Sequence, residues 1–295
     1  MSSISPDLSS LISAASHMDD DVTAQPSKAY WPQWVEEFRV DDNLLSAAYE
    51  GTPARLRASI KTGLALSHMR FGESTEEHCR LVRNTHLGFW RSAHSLPVPW
   101  SVVVFSPTYA AAARLTAACA AAMLGGVTLI GAVCVGGTPT KAAMVSLELS
   151  GVEDIFTLPA TDLLTLLAEI SPGPGRLVLL HTGEMASTSC SIRALNMKYY
   201  EECHPPTLAL PQPDIFDLEA LAFAQAEAFQ TVHDKTSPVK LDAIYVDAET
   251  AYTECLLNQS VQTPLILTPG CEGFWLHSGL TPDFFRIRQE SLGIL

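Results

Sequence analysis

Between residues 101 and 181 the chain alternates short, wholly apolar runs with stretches that favour helix, and this alternation limits the fold more than any other feature. Ser101–Phe105 (SVVVF) is strand-like. Thr108–Leu124 is rich in alanine, a strong helix former, and Gly125-Gly126 ends it. Val127–Val135 (VTLIGAVCV) is a second strand. Gly136-Gly137-Thr138-Pro139 then turns the chain into a helix over Lys141–Ser150, closed by Gly151. Asp154–Leu158 (DIFTL) is a third strand, Pro159–Ile170 a helix, Ser171–Gly175 a loop, and Leu177–His181 (LVLLH) a fourth strand. A strand without a polar side must be covered on both faces. A helix inserted between successive strands makes them parallel. The prediction is an α/β fold with a doubly wound parallel sheet.

The flanks read differently. Residues 1–27 are rich in Ser, Asp and Pro, with acidic Asp19-Asp20-Asp21, and are expected to form a mobile tail. Residues 28–99 are expected to be helical. Trp31, Trp34, Val35 and Phe38 follow helical spacing, and Ser74 or Thr75 is a plausible N-cap for a helix running to His94. His78, His86 and His94 recur every eight residues, ~800° of helical rotation, so they share no face and are expected on the surface. Residues 100–200 form the nucleotide-type domain, with 183–216 irregular because of its prolines. Residues 201–295 form a smaller α/β unit. It has a helix at Asp214–Phe229 with Asp214 or Asp217 as its cap, a strand at Leu241–Val246, a helix at Ala248–Asn258 and a last helix starting near Thr281-Pro282.

A composition of 47% hydrophobic and 17% charged residues is that of a globular chain. The net charge of −14 argues against nucleic acid and against an anionic membrane, although a local basic patch is compatible with it. Leu115–Val135 carries no charge for 21 residues, but its alanines, Gly125-Gly126 and β-rich second half fit a buried helix and strand better than a membrane span. The seven cysteines, an odd number without a CxxC pair, fit a reducing compartment, and the N-terminus does not read as a secretory signal. A cytoplasmic protein is expected.

Six short motifs, in order over residues 101–288, resemble the histidinol dehydrogenase family, a group with the aldehyde-dehydrogenase-like, Rossmann-like fold. Phe105-Ser106-Pro107, the Ala-rich helix and Gly125-Gly126-Val127 are similar to its Tyr-x-Pro, helix and Ala-Gly-Val. Leu149–Phe156 resembles Leu-Ala-Gly-Val-Asp-Glu-Ile-Tyr, and Gly173-Pro174-Gly175-Arg176 resembles Gly-Pro-Gly-Asn. Gln225-Ala226-Glu227-Ala228 resembles Gln-Ala-Glu-His, Tyr252 to Asn258 resembles Tyr-Thr-Pro-Glu-x-x-Gly-Asp, and Ser278–Phe284 resembles Ser-Gly-Leu-x-x-Asp-Phe.

The resemblance implies nicotinamide dinucleotide contacts at Phe105, Asp162 and Arg176, and loops expected at the carboxyl ends of the parallel strands, Ser106–Tyr109, Gly136–Thr140, Pro159–Asp162 and Pro172–Arg176, add Pro107 and Thr138 to a crevice that binds it weakly if at all. Asp162 suits a ribose hydroxyl and Arg176 a phosphate, and both read equally well as solvated surface charges. It also implies a zinc site, of which Gln225 and Asn258 are remnants. Ala228 replaces a histidine ligand, Asn258 an aspartate, and a further ligand comes from a tail beyond Leu295. The family's Pro-Glu-His acid/base pair does not occur. A catalytic zinc needs about three protein ligands, so no zinc is expected. His233 and His277 are the histidines that a shifted alignment would bring to the site. The reading is a divergent member with a degenerate active site, binding a nucleotide or small metabolite. The alternative is an active NAD-dependent oxidoreductase on an alcohol or aldehyde, with Cys203, Cys255 or Cys271 as nucleophile. A homodimer is left open.

Overall fold

The computed structural model describes residues 29–72, 78–170, 173–230, 240–257 and 265–294. At its centre lies a five-stranded sheet of β3 (Trp100–Phe105), β4 (Leu129–Val135), β5 (Asp154–Leu158), β6 (Arg176–Leu180) and β7 (Tyr199–Glu202), in the order β5-β4-β3-β6-β7. Every pairing is parallel; Val103, for example, faces Ala132 on one side and Val178 on the other. The apolar runs are apolar because both faces are covered. Alternate residues of β3 enter different cores: Val103 and Phe105 one, Val102 and Val104 the other. On the first face lie α3 (Ala112–Leu124) and α4 (Lys141–Leu149). On the second lie α5 (Ala160–Glu169) and α6 (Ala186–Ala194).

Helix α3 is Ala-rich because it has no free side. Leu115, Ala118 and Ala122 meet the central sheet, while Ala112 and Ala113 meet the core of a second unit. That unit is a three-stranded parallel sheet, β10-β9-β8, of β8 (Leu208–Ala209), β9 (Ala243–Tyr245) and β10 (Leu265–Leu267). It packs with α7 (Leu218–Gln225), α8 (Glu227–Gln230) and, from the N-terminal region, α2 (Ala54–Phe71). α2 approaches so closely that a Cβ on Gly63 would meet the Gly273 carbonyl. A preceding helix, α1 (Asp42–Glu50), is capped by the Asp41 carboxylate, and α9 (Ala248–Leu257) follows β9. Among the described residues no helix is long and apolar enough to cross a membrane.

Several expectations are corrected. The N-terminal region is helical only to Phe71. β1 (His78–Asn84) and β2 (Phe89–Pro97) form an antiparallel hairpin where a helix was expected. The Asn84 side chain accepts the Leu87 N–H, and Gly88 at φ +68° completes a four-residue connection between the strands. The expected cap at Ser74 or Thr75 lies outside the described residues, as does the tail at 1–27. The last helix is a single 3-10 turn, Pro282–Phe285. The chain then extends as β11 (Arg286–Ile294) because its backbone pairs with all of β2, completing a sheet of order β1-β2-β11. Residues 183–216 are less irregular than expected, holding α6 and β7. The helix expected at Asp214–Phe229 is broken. It starts at the Asp217 cap, and Ala226 at φ +45° separates α7 from α8.

Candidate functional site

In a parallel sheet the loops beyond the carboxyl ends of the strands form the crevice where ligands bind. Here β7 ends at Glu202, and a cleft of about 500 Å³ opens beside it, toward the second unit. Tyr200, Glu201, Glu202, Asp242, Trp275 and His277 line it, with Cys203 and His204 at the turn after β7. Its floor is a buried charge network. Arg114, in the first turn of α3 and fully buried, donates from Nη1 to Glu202 Oε1 at 2.6 Å. The Tyr109 hydroxyl donates to the same oxygen at 2.8 Å. His277 Nε2 bonds the Arg114 carbonyl at 2.7 Å, which makes that nitrogen the donor, and its Nδ1 lies 3.1 Å from Glu202 Oε2, off the angle of a hydrogen bond. Arg114 Nη2 reaches the Gln225 carbonyl at 3.2 Å and Glu227 Oε2 at 3.3 Å. Burial pushes the Glu202 carboxyl up, but the Arg114 charge, then His277 and Tyr109, outweigh it and hold it at about 2.

The neighbouring carboxylate, Glu201, is held by His181 at 3.2 Å and Arg193 at 2.9 Å. Its pKa is lowered: burial raises it, but bonds from Ser189, Arg193 and His181 prevail. Asp242 accepts the Thr207 N–H at 2.8 Å. Arg114 and Arg193, the arginines that pair with Glu202 and Glu201, are not lining residues, whereas His277 is. Among the lining residues there are three carboxylates and no lysine or arginine.

The second part of the crevice lies beyond β3 and β6. The Ser106 hydroxyl meets Thr108 at 3.1 Å, Thr108 donates to Glu184 Oε1 at 3.1 Å, and Thr182 donates to Oε2 from both its N–H and its hydroxyl. Burial alone would raise the Glu184 carboxyl; the hydroxyls and backbone N–H groups around it hold it ionised, at about 2. Pro107 lies directly against Gly137, where a Cβ would meet the proline ring at 2.9 Å.

No protein-family model matches the sequence, and no curated protein matches it. Solved structures do. A histidinol dehydrogenase from Elizabethkingia anophelis matches with a TM-score of 0.58 at 11% identity, over 100% of this chain and 86% of that one. The chain has the histidinol dehydrogenase fold. Lactaldehyde dehydrogenase from Escherichia coli also matches, at 15% identity and a TM-score of 0.36, over 72% of this chain and 48% of that one. A putative aldehyde dehydrogenase from Burkholderia cenocepacia matches at 13% and 0.37, over 71% and 46%. This chain therefore spans about half the length of those two dehydrogenases.

On the histidinol dehydrogenase fold the sequence-predicted residues separate. Phe105 ends β3 with its side chain wholly inside the core. Pro107, Thr138 and Asp162 do lie at the carboxyl ends of β3, β4 and β5, Thr138 exposed and Asp162 half-buried at the start of α5. Arg176 does not join them. The Gly173–Gly175 loop precedes β6 and so sits at the amino end of the sheet, and the loop that faces the crevice is His181–Glu184. Gln225 is fully buried, with Nε2 bonded to the Tyr245 hydroxyl at 3.2 Å and Oε1 without a partner. Ala228 is buried in the apolar core of the second unit. Asn258 and His233 lie outside the described residues. Among the described residues no three His, Cys, Asp or Glu side chains group to hold a metal. Of the cysteines, Cys203 lines the cleft, Cys271 packs beside the second core, and the Cys255 side chain is not among those described. Sequence reasoning missed Arg114, Tyr109, Glu202 and Glu184. The one local signal was a lone arginine inside an alanine-rich helix.

Proposed function

We propose that this protein is a binding protein on the histidinol dehydrogenase fold. It takes a small metabolite carrying a protonated amine in the cleft beside β7, and it does not perform zinc-dependent dehydrogenation. The cleft lining carries the reading. Glu201, Glu202 and Asp242 present negative charge, Tyr200 and Trp275 offer ring faces, and the lining holds no Lys or Arg to attract an acid. Asp242 is the carboxylate among them without an ion-pair partner among the described residues, so it is the group to meet the amine.

Dinucleotide binding is weak at most. Glu184 is an anion where a pyrophosphate would lie, and the packing of Pro107 on Gly137 narrows the path between the first two loops. The Pro-Glu-His acid/base pair that the resemblance implies for removing protons as hydride leaves does not occur in the sequence. Loss of one such base removes about 10²–10⁴-fold in rate.

Titration calorimetry of the full chain tests the binding. Histidinol, an amine, is compared with imidazole-4-acetate, an acid with the same ring. Histidinol is expected to bind and the acid not to. Asp242→Asn is expected to weaken histidinol by roughly tenfold or more, the weight of one charge-assisted hydrogen bond. Equal affinity for both compounds, or a preference for the acid, overturns the reading.

A further inference from the structure

A second site lies at the opposite, amino end of the central sheet, independent of the cleft proposed above. Arg176 opens β6, Lys198 immediately precedes β7, and Arg288 lies in β11; the three line one open cavity of about 640 Å³. Phe284 is the centre of the group. The Arg176 guanidinium lies 5.9 Å and the Lys198 ammonium 5.2 Å from its ring centroid. The charge is poorly balanced. Arg288 pairs with Asp283 at 2.6 Å. Lys198 has no acidic partner among the described residues. Arg176 bonds only neutral carbonyls, those of Phe284, Gly175 and Arg286. Those bonds use three of the five guanidinium N–H groups and leave two.

The surroundings reinforce this. An adjoining cavity shares Asp283, Arg286 and Arg288 and adds Arg80, Arg91 and Glu290. Six basic residues thus face two acidic ones, in a chain whose net charge is −14. Burial lowers the Lys198 ammonium, and repulsion from Arg176 and Arg288 lowers it further. An anion in the cavity relieves both the repulsion and the unmet donors.

We infer that Arg176, Lys198 and Arg288, grouped around Phe284, form a binding site for a phosphate-type dianion. The two free N–H groups of Arg176 and the point charge of Lys198 suit tetrahedral oxygens. The phosphate can be free or the head of a small phosphate ester, whose body would lie along the cavity beside Phe284.

The test is calorimetric titration of the full chain at matched ionic strength with inorganic phosphate, glycerol 3-phosphate and chloride. Phosphate is expected to bind where chloride does not. Lys198→Ala and Arg288→Ala are each expected to weaken phosphate by roughly tenfold, with Lys198→Arg restoring most of the affinity. Both side chains lie at the edge of the fold, and thermal unfolding checks that the variants remain folded. Tighter binding of the ester identifies a phosphorylated metabolite; equal binding identifies free phosphate. Phosphate that binds no better than chloride, or equally well to both alanine variants, overturns the inference.

Discussion

The central sheet and the outer antiparallel sheet are built from similar lengths of chain by opposite means. In β3 and β6 every residue is buried, and the sheet is held by two cores, one on each face. In β2 no residue is buried, and in β11 only Arg286 is. That side chain anchors the outer sheet by donating to Ser95 Oγ, the Ser95 carbonyl and the Gly125 carbonyl. The charge differs as much. β1, β2 and β11 carry five arginines and one acid, against a negative chain. Burial on both faces determines the first sheet; backbone pairing and one buried arginine determine the second.

The largest expected effect belongs to the buried region. Arg114→Met leaves Glu202 buried without its cation, a loss of about 3–5 kcal/mol. The pH dependence tests the cause. The folded pKa of Glu202, about 2, lies below its ordinary value of 4.5. Its contribution is therefore full above pH 4.5 and is lost as the pH falls toward 2. Denaturant titrations at pH 7 and pH 3 are expected to show the gap between wild type and Arg114→Met narrow at the lower pH. A gap that does not change with pH would assign the loss to packing alone and break the comparison.

The smaller effect belongs to the outer sheet. Arg91 meets Glu290 at 2.5 Å, with both side chains about half exposed. Arg91→Ala is expected to cost under ~1 kcal/mol, and the difference is expected to shrink further in 1 M salt. A loss as large as that of Arg114→Met would show that the outer sheet is held by its charges rather than by its backbone pairing.

The same contrast explains what could be read in advance. The central sheet was legible because continuous burial forces continuous apolar runs, and glycines mark where each helix stops. The hairpin of β1 and β2 was not. Its strand β2 is specified in part by pairing with β11, about 190 residues away, and Glu-rich sequence just before His78 mimics a helix start. The motif resemblance found the fold but misplaced Arg176, because similarity of a Gly-Pro-Gly segment does not say on which side of a strand it lies. Within the site, Gln225 and His277 could be named from sequence. The Arg114–Glu202 pair could not, since 88 residues separate the partners and only the parallel crossover brings them together.

We propose that the dehydrogenase fold is kept here without zinc-dependent chemistry. The most direct measurement is the absorbance of reduced nicotinamide cofactor when the full chain is incubated with histidinol, NAD and added zinc. No reduction above the protein-free background is expected, with or without the metal. Zinc-dependent turnover, abolished by His233→Ala, would contradict it.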